Sequence, residues 1–119
     1  RVRATLLGAE ALVKQKMYTP ARGRFKEVLL GQPANLRALE GLALIAAEEG
    51  DKEQARTHYG AILAKDPSNH RCLGQLGQLA LTEGRHAAAV EYLTRAAELA
   101  PASAMYRYRL GRARWLGGG

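Results

Sequence analysis

Three prolines set the frame of this chain. Pro33, Pro67 and Pro101 stand 34 residues apart. A fixed period of about 20–50 residues marks a repeat array, in which one supersecondary unit recurs and buries its apolar face against its neighbours. Sliding the sequence by one period brings other positions into line. Before Pro101 the unit runs Leu73, Leu76, Gly77, Ala80, then Ala89, Leu93, Ala96. One period earlier the same slots hold Leu39, Leu42, Ala43, Ala46, then Ala55, Tyr59, Ile62. The first copy holds Thr5, Gly8, Ala9, Leu12, then Ala21, Phe25, Val28. Its second half matches the later copies better than its first half. Leu110-Gly111 opens a fourth copy.

Helix punctuation recurs at the same phase. Asn35, Asp51 and Asn69 each precede an apolar-periodic run and are expected as N-caps. Ser68 and Ser103 are loop or cap residues. The expected helices cover about 2–16, 20–31, 36–49, 52–65, 70–83, 86–99 and 104–116. Met17-Tyr18, Gly50-Asp51 and Gly84 make the turns, Thr19 caps the second helix, and Pro20 falls in its first turn. Leu6, Leu7, Ala9, Leu12 and Val13 should face inward from the first helix, and Phe25, Val28 and Leu29 from the second. The fold class this implies is all-α: helix pairs in repeats of about 2–35, 36–69 and 70–103, plus a seventh helix. That helix, MYRYRLGRARWL, either opens a fourth repeat or serves as a polar cap. Residues 117–119 are a glycine tail.

The pattern resembles the tetratricopeptide repeat, whose unit reads W-x2-L-G-x2-Y, A-x3-F and P. Leu76-Gly77, Ala89-x3-Leu93 and Pro101 carry the resemblance best, followed by Leu42-Ala43, Ala55-x3-Tyr59 and Pro67. The chain departs at the aromatic slots of the first helices. Thr5, Leu39, Leu73 and Arg107 stand for Trp, and Leu12, Ala46, Ala80 and Arg114 for Tyr. The resemblance implies a right-handed superhelical array of antiparallel helix pairs, an α-solenoid, with first helices lining a concave surface. It places Arg3, Leu6, Glu10 and Val13 there from the first copy. Arg37, Glu40, Leu44 and Ala47 follow from the second, and Arg71, Gly74, Gln78 and Leu81 from the third. Met105, Tyr108, Arg112 and Trp115 follow from the seventh helix. Gln75 matches a slot of the carboxylate clamp that some members use. The other clamp slots hold Leu6, Glu10, Gly41 and Arg71. Only Arg71 suits a carboxylate, which argues against clamp-type binding.

Arg3, Arg37 and Arg71 form a ladder at the 34-residue period. Guanidinium groups take carboxylates in bidentate geometry, and Tyr108 would anchor an apolar side chain. The alternative is that these arginines are solvent-facing and satisfy nearby acids. Met105, Trp115 and Leu116 are candidates for self-association through the ends of the array, with Trp115 also readable as core for a following helix.

Composition excludes more than it assigns. The chain has 119 residues, 47% hydrophobic, with a net charge of +7. Residues 1–34 carry seven Lys/Arg against two acids, and residues 104–119 four Arg and no acid. Basic ends admit an anion-binding surface, but solvated faces explain them as well, and nucleic acid is not the expected partner. No apolar run reaches membrane-spanning length. Cys72 is a lone packing or surface residue without metal-ligand neighbours. His58, His70 and His86 lie in no ligand spacing and read as exposed helix residues. No catalytic constellation and no cofactor are implied. The expected function is a protein–protein interaction scaffold binding a peptide segment of a partner. A helper domain of a larger enzyme or assembly factor is the alternative. The start RVRATLL suggests a piece of a longer protein, and the usage rich in Ala, Arg, Leu and Gly suggests a bacterial one. A cytoplasmic location is favoured, with the periplasm open if an upstream signal was removed.

Overall fold

The computed structural model describes residues 1–117, and among them the chain is all-α. Seven helices follow one another: α1 Val2–Lys14, α2 Tyr18–Gly31, α3 Leu36–Glu48, α4 Lys52–Lys65, α5 His70–Thr82, α6 His86–Leu99 and α7 Ala104–Leu116. They group into two compact units, Arg1–Lys65 with α1–α4 and Asp66–Gly119 with α5–α7. Of the expected glycine tail, Gly117 is the C-cap of α7, and Gly118 and Gly119 lie outside the described residues.

Local chemistry explains the boundaries. A helix leaves its first N–H groups without intrahelical partners, and a side-chain oxygen at the N-cap satisfies one of them. Asn35 Oδ1 accepts from Ala38 N at 2.9 Å, and Asn69 Oδ1 from Cys72 N at 2.9 Å. Asp51 Oδ1 accepts from Gln54 N at 3.1 Å, and Ser103 Oγ from Tyr106 N at 3.4 Å. Each carboxamide cap contributes about 1 kcal/mol to its helix.

Within each hairpin the first helix ends the same way. The residue after its C-cap is left-handed: Lys16 at φ 61°, Gly50 at 84° and Gly84 at 74°. These three are also one period apart. The next amide then bonds back to the fifth residue before it: Met17 N to Leu12 O, Asp51 N to Ala46 O and Arg85 N to Ala80 O, at 2.8–2.9 Å. This is the Schellman closure, which satisfies a carbonyl that the helix end would orphan. The closure also corrects the expected start of α2. Met17 is already its N-cap residue, so Tyr18 begins the helix and Thr19-Pro20 fall inside the first turn.

In the N-terminal unit Leu6, Ala9, Ala21, Phe25, Val28, Ala38, Leu42 and Ile45 form one core. Leu7 is not part of it. It is 55% exposed, because it lies about 100° around α1 from Leu6. Gly41 is the close-approach point, with the Phe25 ring seated directly on its Cα. α4 packs on α3 and carries the buried Ala55, Tyr59 and Ile62.

The C-terminal unit repeats the logic with α5, α6 and α7. Gly77 of α5 lies under Leu93 of α6, where an added Cβ would stand 2.5 Å from Leu93 Cγ. Ala80, Ala89, Leu93 and Ala113 form its core, with Leu110 packed against it. Cys72 is buried in α5 as a small packing residue.

Candidate protein-interaction surface

In the N-terminal unit the first helices α1 and α3 are in contact, and an ion pair crosses between them. Arg37 Nη2 donates to Glu10 Oε1 at 2.6 Å and Nε donates to Oε2 at 3.2 Å. Both side chains are about two-fifths exposed. The hydrogen bond and charge of Glu10 raise the Arg37 pKa further above its ordinary value. The middle rung of the arginine ladder is therefore engaged by an acid of its own unit. Arg3 is exposed on α1, two turns before Glu10, and Leu44 is half-buried on α3. Leu6, assigned to this surface by the resemblance, belongs to the core instead.

On the other side of this unit, α2, α3 and α4 enclose a cleft of about 240 Å³ lined by Arg22, Lys26, Leu42, Ala46, Glu49, Asp51, Gln54 and His58. Arg22 pairs with Glu49, and the Tyr18 hydroxyl donates to Glu48 at 3.4 Å. Two cations face two anions, so the cleft favours neither sign of ligand. Burial, and then the charge of Lys26, lower the His58 pKa below 6.5. The unfolded chain thus binds more protons than the folded one in mild acid. The stability present above about pH 6.5 is lost as pH falls through the folded pKa. His58→Gln is expected to flatten the urea midpoint between about pH 7 and pH 5. An unchanged slope would assign the acid sensitivity to other groups.

In the C-terminal unit the first helices are α5 and α7, and three contacts fix them side by side. Tyr106 packs on Gly74, where a Cβ would lie 2.4 Å from its Cε1. The Tyr106 hydroxyl and His70 Nδ1 are 2.9 Å apart, with the two rings edge to face. Arg109 Nη1 donates to Gly74 O at 3.4 Å. Sequence reasoning missed Tyr106. The signal for it was Gly74, a residue without a side chain at a slot that Glu40 fills one period earlier. The histidines also differ from expectation. All three are half-buried, and His70 is held by Tyr106.

Outward from this joint, Arg71, Gln75 and Gln78 follow one another along α5, the arginine exposed and the glutamines half-buried. On α7, Met105, Tyr108, Arg112 and Trp115 form one stripe at helical spacing. All four are exposed, Tyr108 by 67% and Trp115 by 79%. Leu116 is exposed as well. Among the described residues no group of three His, Cys, Asp or Glu is placed to hold a metal ion. No described helix is long and apolar enough to cross a membrane.

Known structures share this architecture. The chain superposes on pilF of Pseudomonas aeruginosa with a TM-score of 0.90 at 21% identity, over 98% of this chain and 54% of that one. It matches the first TPR of Spaghetti (RPAP3), bound to the HSP90 peptide SRMEEVD, with a TM-score of 0.91 at 14% identity, over 100% and 94% of the two chains. The Yersinia enterocolitica type III secretion chaperone SycD, in complex with a peptide of the translocator YopD, gives 0.80 at 18% identity, over 96% and 87%. At these identities the likeness is one of fold. The chain spans about half the length of the Pseudomonas protein. No curated protein sequence matches it. Two family models, each described as tetratricopeptide repeat, match residues 6–70 and 46–108, in each case more than half of the chain. The 34-residue period, the helical hairpins it produces and both models agree, and the chain belongs to the tetratricopeptide repeat family.

Proposed function

We propose that this chain is a non-catalytic protein-interaction module that binds a peptide segment of a partner on the faces of its first helices. That face is the one the family resemblance assigns to the inner side of an array. The observation that carries the reading is the α5/α7 surface. There a large exposed ring, Tyr108, stands beside Arg112 on a pair of helices locked by Tyr106 and Gly74. Aromatic and arginine side chains dominate interface energies, and a tyrosine ring, with two side-chain torsions, loses little entropy on binding. Arg71, Gln75 and Gln78 add polar groups suited to a peptide's carboxylates and amides. In the N-terminal unit, Arg3 and Leu44 remain as contact residues, with the Arg37–Glu10 pair between them. The structures of Spaghetti and SycD with peptides show that this fold accommodates such ligands in those proteins.

Selection of a displayed peptide library on the immobilised chain tests the reading. Enrichment of segments that combine a carboxylate with a large apolar residue is expected. Their affinity should fall on the order of tenfold or more in Tyr108→Ala/Arg112→Ala. Peptides retained equally by that variant, or no enrichment at all, would refute the α5/α7 surface.

Exposure of Met105, Trp115 and Leu116 also supports pairing between two copies. A concentration-dependent dimer in sedimentation, lost in Trp115→Ser, is the expected sign of it. A monomer at all concentrations removes this second reading.

A further inference from the structure

α7 has a second stripe, on a different side from Tyr108, exposed except at the half-buried Leu110. Arg107, Leu110, Gly111 and Arg114 follow the i, i+3, i+4, i+7 spacing of one helix face. They are the period-shifted counterparts of Leu73, Leu76, Gly77 and Ala80 on α5, and of Leu39, Leu42, Ala43 and Ala46 on α3. In both earlier copies that stripe is buried, and the following helix packs on its own first helix. The contrast is sharpest at the glycines. A Cβ on Gly77 would strike Leu93, whereas a Cβ on Gly111 would meet nothing within 4 Å. The slot that takes a leucine from a neighbouring helix is intact on α7 and unfilled among the described residues.

The groove beside the stripe shows the same relation. It has about 230 Å³ and is lined in part by Val90, Arg114 and Gly117. Their counterparts two periods earlier, Arg22, Ala46 and Glu49, line the cleft of the N-terminal unit, where Gln54 and His58 of α4 and its capping residue Asp51 complete the wall. The C-terminal groove therefore has the floor of a helix-docking site, with the buried Ala113 beside it.

What differs is charge. The two slots that hold Leu or Ala in the complete copies hold Arg107 and Arg114 here, both exposed. α7 carries four arginines and no acid. We propose that this face of α7 docks an acidic amphipathic helix of a partner protein. A leucine-like side chain would sit on Gly111, and carboxylates about two turns apart would pair with Arg107 and Arg114. Seven residues correspond to ~10.5 Å along a helix, so one face of the incoming helix reaches both guanidinium groups. Two copies of α7 laid face to face would set arginine against arginine, which disfavours a second copy as the occupant. Arg107 Nη1 already donates to Pro101 O, but an uncharged helix would leave both arginine charges crowded without a carboxylate.

The test uses a fluorescent, side-chain-stapled helical peptide with one central Leu flanked by Glu residues seven apart, and a control with Lys in their place. Anisotropy near 0.15 M salt reads binding to the wild-type chain and to Arg107→Glu/Arg114→Glu. The Glu peptide should bind the wild type and lose on the order of tenfold in affinity to the variant. The Lys peptide should show the reverse order. Gly111→Leu, which fills an open slot and leaves the fold in place by circular dichroism, should abolish binding of both. Tyr108→Ala should bind the Glu peptide as the wild type does. The proposal is overturned if Glu and Lys peptides bind alike, if no saturable binding occurs, if charge reversal has no effect, or if sedimentation shows a dimer that excludes the peptide.

Discussion

Replacing Phe25 by alanine is expected to cost the N-terminal unit about 3–5 kcal/mol. The ring is fully buried in the core shared by α1, α2 and α3. Truncation removes its transfer free energy and leaves a cavity in the close-packed core of this unit. Gly41 lines one wall and offers no side chain that could swing into the space. Urea unfolding should show the midpoint shift, and hydrogen exchange should place the lost protection within residues 1–65. A loss below about 1 kcal/mol would mean that the unit collapses around the missing ring, contrary to the close packing seen here.

The reciprocal substitution, Gly41→Ala, should also destabilise, although alanine is the better helix former by ~1 kcal/mol. Its Cβ would stand 2.2 Å from Phe25 Cζ and 2.5 Å from Cε1 and Cε2. The ring is enclosed and cannot rotate away, so overpacking of roughly 1–3 kcal/mol opposes the propensity gain. A net loss of about 1 kcal/mol is expected. The sign should invert in the Phe25→Ala background, where the ring is gone and only the propensity gain remains. Residues in direct contact are non-additive, and this pair should be strongly so. Additive behaviour of the two substitutions would refute the contact as the reason for the glycine.

Much of this architecture is legible in the sequence because it is local. Asn35, Asp51 and Asn69 act within three residues of themselves, so their cap bonds follow from neighbouring letters. The period places Leu73, Leu76 and Gly77 against the next helix without any knowledge of the rest. The start of α2 was not legible, since its turn lacks the glycine that marks the other two and Thr19-Pro20 mimics a helix start. Arg37 illustrates the limit for the site. The ladder shows where it stands, but its partner Glu10 lies 27 residues away on another helix. Whether an arginine awaits a ligand or is already engaged depends on that tertiary neighbour. The exposed face of Tyr108 was legible from the repeat phase, whereas the support beneath it, Tyr106 on Gly74, was not.

The left-handed residue of the first hairpin is a lysine where the other hairpins have glycine. A side chain in that backbone region costs on the order of 1 kcal/mol. α1 begins without a side-chain cap and buries only Leu6 and Ala9 fully. Helix, turn and cap thus all weaken at the same end of the unit. Native-state opening events should begin there, with α1 peeling from Phe25 while the capped α3–α4 hairpin keeps its structure. Within this unit the first hairpin is consequently more open to proteolytic nicking and to exchange between copies than the α3–α4 hairpin.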